Sequence, residues 1–392
     1  MTSDPVDVLV VGAGPTGLTL GAELSAHGVR PRLVDRAHDR VHESRALAIQ
    51  PRTLEVLAGL GITDQLLEHG NRAVRLRIHA GRRETAVPLF DFGLADTAYP
   101  YLLFLSQAET ERILGDHLTT VGITVERGVR LVDLQPGADA VSAVLRHDDG
   151  REERIMCRYV VGCDGAHSTV RTAAGIGFEG SAYPQTFVLA DAEADGITPN
   201  AAHAFLSERG MLFFFPLGAP ASWRLLVMRP ATDPTPPDAP VSLNEVQALA
   251  DTYTNGTVRL YDPVWMTNFR LHHRAATAYR AGRIFLAGDA AHIHSPAGAQ
   301  GMNTASKTRP TWPGNSPTPC AASPTLPYWT PTNPSARPSA RWCCASPTEP
   351  SPSPPPPTRS FASPAPASHR RSSRSSSNRK PFAGTRSARC RN

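Results

Sequence analysis

Residues 306–392 contain no isoleucine, no valine, no methionine and a single leucine, Leu326, yet they hold 19 of the chain's 37 prolines and 17 serines. A segment so poor in aliphatic side chains cannot bury a core, so this tail is expected to be disordered. Acidic residues are scarce there too: Glu349 stands alone against 13 Lys and Arg, a net charge of +12. Residues 1–305 carry 27 Lys and Arg against 34 Asp and Glu, a net −7. The sequence pI of 9.0 is therefore a property of the tail. Residues 1–305 keep 28 of the 30 glycines and nearly all the aliphatic residues, and a chain of that size buries a substantial core.

Cysteine and long hydrophobic runs are also in short supply. Of six cysteines only Cys157 and Cys163 fall within residues 1–305, and their C-x5-C spacing has no flanking histidine pair. Neither a disulfide framework nor a zinc site is expected from them. No apolar run approaches the roughly 18 residues that a membrane span needs, and a strand pattern opens at Val6 without a basic and apolar leader. The expectation is a soluble cytoplasmic protein with no membrane partner. The arginines around Ser372–Ser377 would suit phosphate contacts, but they share the composition of the tail, and no nucleic-acid partner is expected. His292 and His294 have no carboxylate or cysteine at usable spacing, so no metal is expected either.

What is present begins with Asp7–Val11, an apolar run ending in Gly12-x-Gly14-x-x-Gly17, followed by helical spacing from Leu18 to Ala26 that stops at Gly28. Residues 31–35 then read as a second strand, completing a βαβ unit. In this setting the three glycines allow a tight turn, close approach of backbone to a pyrophosphate, and helix-on-strand packing. The helix N-terminus offers its unpaired N–H groups to the phosphates. Asp35, 18 residues beyond Gly17, stands where a ribose hydroxyl is accepted. A dinucleotide site follows, with NAD and FAD both open at this point.

Farther along, the patterns predict helices at 53–60 and 108–121, mixed strand character around 74–105, and a meander of strands at 123–134, 140–147 and 153–161. Residues 183–275 alternate apolar and polar side chains between Pro and Gly breaks, as an antiparallel sheet facing a ligand does. Residues 283–289 read as a buried strand ending in a turn. Phe213, Phe214, Phe215 and Trp223 either line that ligand or belong to a core.

Two later motifs, Cys163-Asp164-Gly165-Ala166-His167-Ser168 through Arg171 and Gly288-Asp289-Ala290-Ala291-His292, resemble the D-G and G-D fingerprints of the class A flavoprotein monooxygenases, the FAD-dependent aromatic hydroxylases. The resemblance spans residues 1–305. It implies an α/β fold, with a Rossmann-like FAD-binding domain in 1–175 and 276–305 and an inserted antiparallel β-sheet substrate domain in 176–275. By that resemblance Arg45 lies near the flavin and the transient NADPH or NADH site, and Gln107 touches the FAD. Asp164 and Gly165 lie near the pyrophosphate, and Gly288 and Asp289 hold the ribityl chain. Residues 296–303 pass the isoalloxazine ring, with Pro296 and Gly298 beside Arg45 at the reacting centre and Gly301, Met302 and Asn303 starting the next helix. Gly12, Gly14, Pro15, Gly17, Asp35 and Arg36 complete the cofactor set. The implied activity is hydroxylation of a phenolic or polycyclic, polyketide-type substrate with NAD(P)H and O2 through a flavin C4a-hydroperoxide. An FAD oxidoreductase that does not hydroxylate, and an inactive flavin-binding remnant, are the alternatives.

The resemblance stops at Ser306, and the codons permit a test. After a gain or loss of one base, each residue of the other frame takes the last base of one codon and the first two of the next. Trp312-Pro313 then forces Ala, Tyr328-Trp329 forces Leu and Trp329-Thr330 forces Asp. With free choice of the wobble bases, residues 305–316 can read QDAANLAWKL after one apolar residue, and 324–336 can read DAAVLDTYQSER. Both suit the family's amphipathic helix and the helix start that follows it. The tail is expected to be out of frame, and the chain as given to be nearly inactive.

Overall fold

The computed structural model describes residues 6–40, 46–73, 75–81, 83–88, 96–218, 220–230, 232–233, 235–236, 239–293 and 302–303. The tail from Ser306 onward, Arg45 and residues 296–301 lie outside the described residues, as do the expectations placed on them.

The βαβ unit forms as its pattern predicts: β1 (Val6–Val11), α1 (Pro15–Ala26) and β2 (Pro31–Asp35). β1 lies in the middle of a parallel array, with β2 on one side and the strand Glu152–Gly162 on the other. Val125–Arg127 extends the array beyond β2, and Ile284–Leu286 extends it beyond Glu152–Gly162. Val8 and Val10 face one core, with Leu18, Leu33, Leu114 and Leu118; Leu9 and Val11 face another, with Val34, Leu131, Leu145 and Leu286. Burial on both faces is why β1 reads as an unbroken apolar run rather than an alternating one.

The meander is present as Val129–Pro136, Val141–His147 and Glu152–Gly162, paired antiparallel in that order. The single strand expected over 123–134 is two strands. Gly128 separates them at φ +67°, where a Cβ would collide with the Asp148 carboxylate. The chain leaves the parallel array there and re-enters the sheet as the first strand of the meander.

A second eight-stranded sheet runs in the order 292–293, 259–276, 178–195, 223–228, 210–216, 202–207, 75–80 and 83–88. It corrects the sequence reading in two ways. The sheet is not confined to 176–275, because the hairpin Arg75–Ala80 and Arg83–Pro88 joins its edge, and that hairpin pairs parallel with Ala202–Ser207. The stretch 183–275 also contains a helix, Leu243–Thr254, capped by Ser242 and stopped by left-handed Asn255. Val246 and Ala250 of this helix cover Leu212, Phe214, Trp223 and Leu225 on one face of the sheet. No helix among the described residues is long and apolar enough to cross a membrane.

Candidate functional site

The glycine turn is built by close packing. Gly12 has φ +103°, and a Cβ there would sit 2.8 Å from Asp164 Cα, closer than non-bonded carbon atoms approach. A Cβ on Gly17 would lie 3.0 Å from the carbonyl carbon of Gly12 and run into its oxygen. The Gly12 amide donates to the Val34 carbonyl at 2.8 Å, and the Cys163 amide donates to the Val11 carbonyl at 2.7 Å. The turn is thereby pinned between the end of β2 and the start of the D-G loop.

Gly14 is different. It is the N-cap of α1, and among the described residues a Cβ placed on it would meet no atom of another segment closer than Glu111 Oε1, 3.9 Å away. Open space lies in front of a helix start that, among the described residues, no side chain caps and no acidic residue of the first turn neutralises. Pro15 occupies the first turn, where its missing N–H costs nothing. This cradle of N–H groups, which no side chain among the described residues caps, suits a diphosphate.

The later motifs converge on the same helix end. Gly288, at φ +62°, packs so tightly on Thr16 that a Cβ would lie 3.1 Å from Thr16 Cβ. The Ala287 amide donates to the Gly162 carbonyl at 2.9 Å, joining the G-D and D-G loops. Arg171 fastens them a second time, donating from Nη1 to Ala290 O at 2.8 Å and from Nη2 to Ala166 O at 2.7 Å. Its guanidinium lies over the Phe178 ring, 3.8 Å from the centroid, and burial lowers its pKa, with Asp164 opposing.

The candidate side chains divide into two groups. Asp35 accepts from the Ala13 amide at 2.6 Å and the Ala37 amide at 2.8 Å, and so ties β2 to the glycine turn with one carboxylate. Each oxygen keeps a lone pair for a hydroxyl. Asp164 turns onto its own loop, accepting from the Ser168 hydroxyl, the Thr169 amide at 2.7 Å and the Val170 amide at 3.2 Å. It shapes the loop against Gly12, with Gly165 at φ +81° completing the turn. Arg36 and Asp289 are exposed. Gln107 opens the helix Gln107–Thr120, its amide N–H donating to the Ala46 carbonyl at 3.2 Å. Met302 packs on the core beneath α1. Asn303, 1% exposed, uses its side chain on the backbone of Ala48 and Gln50.

Sequence reasoning missed an ion pair. Arg224 is fully buried and forked onto Asp191, Nε to Oδ1 and Nη2 to Oδ2, both at 2.6 Å. Trp265 Nε1 donates to the same carboxylate at 2.9 Å, and Arg224 Nη1 reaches Ala46 O at 3.1 Å. Ala46 O thus accepts from both Arg224 and Gln107, one residue after Arg45. The signal was a charge inside each of two apolar strands, which the sequence does not pair.

Arg224 lies in a row across four strands of the second sheet, Phe215, Arg224, Asp191 and Trp265. The next row on that face is Phe213, Leu226, Leu189 and Thr267. Phe213 and Phe215 stack at 5.6 Å, and Phe215 meets Phe104 of the strand Leu102–Phe104 at 5.6 Å. Phe214 and Trp223 point the other way, into the core under the helix Leu243–Thr254. The four aromatic residues therefore split by strand parity, two on each side. Among the described residues no three His, Cys, Asp or Glu side chains are grouped to hold a metal ion.

A glycine turn, an acid at the end of β2 and two loops meeting at one helix start define a dinucleotide-binding flavoprotein fold. Residues 5–307 match the family described as FAD binding domain, and the chain belongs to that family. Among curated proteins it is 39% identical over 306 residues to 6-methylpretetramide 4-monooxygenase of Streptomyces rimosus, covering 77% of this chain and 54% of the relative. It is 36% identical over 309 residues to rifampicin monooxygenase of Streptomyces venezuelae, covering 76% and 61%. Among solved structures it resembles aklavinone-11 hydroxylase in its ternary complex with FAD and aklavinone, with a TM-score of 0.67 at 28% identity over 78% of this chain and 61% of that one. Anhydrotetracycline hydroxylase from Streptomyces rimosus gives a TM-score of 0.62 at 32% identity, over 77% and 59%. The chain spans little more than half to three-fifths of the length of these relatives.

Proposed function

We propose that this chain is the FAD-holding and substrate-roofing part of an aromatic hydroxylase that acts on a phenolic, polycyclic ring with NAD(P)H and O2. The observation that carries the reading is the open cradle before Gly14, at which three separated motifs meet. Residues 1–175 and 276–305 hold the cofactor, and 176–275 supply most of the second sheet. When bound, FAD supplies the redox chemistry, taking two electrons from NAD(P)H and activating O2.

The chain's own residues bind, orient and exclude water. The N–H groups at the start of α1 meet the diphosphate, and Asp35 accepts from ribose hydroxyls. Asp289 and Gln107 serve the rest of the dinucleotide. Arg45, Pro296 and Gly298 belong to the reacting edge, with Gly301 and Met302 at the helix start beside it. The face bearing Phe213, Phe215, Leu226 and Leu189 stacks an aromatic substrate and keeps water from it. The names of the relatives, which include 6-methylpretetramide 4-monooxygenase and aklavinone-11 hydroxylase, support a polycyclic substrate.

The reading includes the tail: sequence beyond residue 307 does not continue the family match, as a lost frame near residue 305 requires. Oxygen consumption by the 392-residue chain and by a frame-restored chain, with and without a polycyclic phenol, tests both parts. Phenol-stimulated uptake yielding a hydroxylated ring in the restored chain, and little in the 392-residue chain, is expected. Equal turnover in the two chains contradicts the frame argument. NAD(P)H oxidation without any hydroxylated product favours a simple oxidoreductase.

A further inference from the structure

Glu111 has no place in the account so far, yet it is 3% exposed and lies beside the cradle. It stands one turn into the helix Gln107–Thr120, and its Oε1 is the atom nearest to where a Gly14 side chain would project, at 3.9 Å. The Gln107 side-chain amide donates from Nε2 to that same Oε1 at 2.8 Å. A carboxylate has only acceptors to offer, so it decides which end of a neighbouring amide turns toward it. The N–H2 end of Gln107 faces Glu111, and the carbonyl oxygen is held at the opposite end.

We propose that Glu111 is a positioning residue that sets the hydrogen-bonding polarity of Gln107, so that this glutamine meets a donor of the dinucleotide, a hydroxyl or ring N–H, and not its phosphate oxygens. An amide free to turn over would serve either group. One fixed by Glu111 discriminates, because its oxygen would repel a phosphate oxygen and satisfy an O–H. The arrangement also divides the work at this end of the site: backbone N–H groups of α1 take the phosphates, and Gln107 takes a donor farther along. The proposal rests on the reading that Gln107 touches FAD.

The test is FAD titration of the 392-residue apoprotein, followed by flavin fluorescence, with thermal unfolding measured on every variant. Gln107→Ala, Gln107→Glu and Glu111→Gln are each expected to weaken Kd by roughly 10-fold, the upper range for losing one hydrogen bond between neutral groups. The exchanged pair, Gln107→Glu with Glu111→Gln, rebuilds the amide-to-carboxylate bond in reverse and again presents an oxygen. It is expected to return to within roughly 3-fold of the parent Kd. The apolar pair, Gln107→Leu with Glu111→Leu, is expected to keep its unfolding temperature and bind weakly. An exchanged pair that binds no better than Gln107→Glu alone overturns the proposal, and so does an apolar pair that binds like the parent. An unchanged Kd in Gln107→Ala instead removes Gln107 from the cofactor site, and the reading beneath the proposal fails with it.

Discussion

The Asn303 side-chain amide donates to the Ala48 carbonyl oxygen at 2.7 Å, across 255 residues of chain. Its Oδ1 also accepts from the Gln50 amide at 2.8 Å, so one side chain pairs with one edge of the short strand Ala48–Ile49 as a neighbouring strand would. Asn303→Ala leaves a buried carbonyl and a part-buried amide without these partners. The expected loss is about 2 kcal/mol of unfolding free energy, from two modest hydrogen bonds and the desolvation of what remains. Urea unfolding of the variant checks it, and a loss near zero would mean that the strand is held by other contacts.

The forked pair of Arg224 and Asp191 behaves differently from a surface bridge. Arg224→Met strands a carboxylate that is 1% exposed, with Trp265 as its remaining side-chain donor. Such a break is expected to cost about 3–5 kcal/mol. Arg224→Met combined with Asp191→Leu removes both charges and is expected to cost less than Arg224→Met alone. A double-mutant cycle on unfolding free energies decides it; simple additivity would deny the coupling.

The βαβ unit was legible because its signals are local. An apolar run, three glycines at fixed offsets and Asp35 at the end of the next strand are all read along the chain, and each stands where the pattern placed it. The helix Leu243–Thr254 was legible in principle, since Ser242 and Glu245 form the S-x-x-E start and Asn255-Gly256 the stop, but the surrounding strand alternation masked it. The helix Thr63–His69 has Ile62 at its N-cap, which makes no side-chain cap, and it runs for only seven residues. Arg224 with Asp191, and Gln107 with Ala46, are contacts between elements far apart in sequence. Spacing carries no trace of them, so the tie between the second sheet and the Ala46 segment emerged only in three dimensions.

Acid should loosen the tie between β2 and the strand Glu152–Gly162. Glu153 receives Arg32 Nη1 and Nη2 at 2.8 Å each, and these bonds first, then His147, hold its pKa down to about 2 from 4.5 against the opposing effect of burial. A carboxylate whose folded pKa is depressed contributes stability above its unfolded pKa. That contribution fades as pH falls from 4.5 toward about 2. Glu153→Gln should therefore be less stable than the parent near neutral pH, and the gap should shrink as acid is added. Unfolding midpoints taken from about pH 6 down to about pH 3 measure the slope, and parallel curves would remove Glu153 from the acid response.

The central claim is that the open space before Gly14 holds the diphosphate of FAD, and equilibrium titration of FAD onto the 392-residue apoprotein beside its Gly14→Val variant tests it most directly. A branched side chain at Gly14 intrudes on the cradle, and among the described residues the nearest atom of another segment to its first carbon is Glu111 Oε1, at 3.9 Å. Saturable one-to-one binding by the parent is expected, with at least roughly 100-fold weaker binding by a Val variant of unchanged unfolding temperature, as the loss of close backbone approach to the phosphates implies. Equal affinity in the two proteins, or no saturable binding by the parent, would contradict the account.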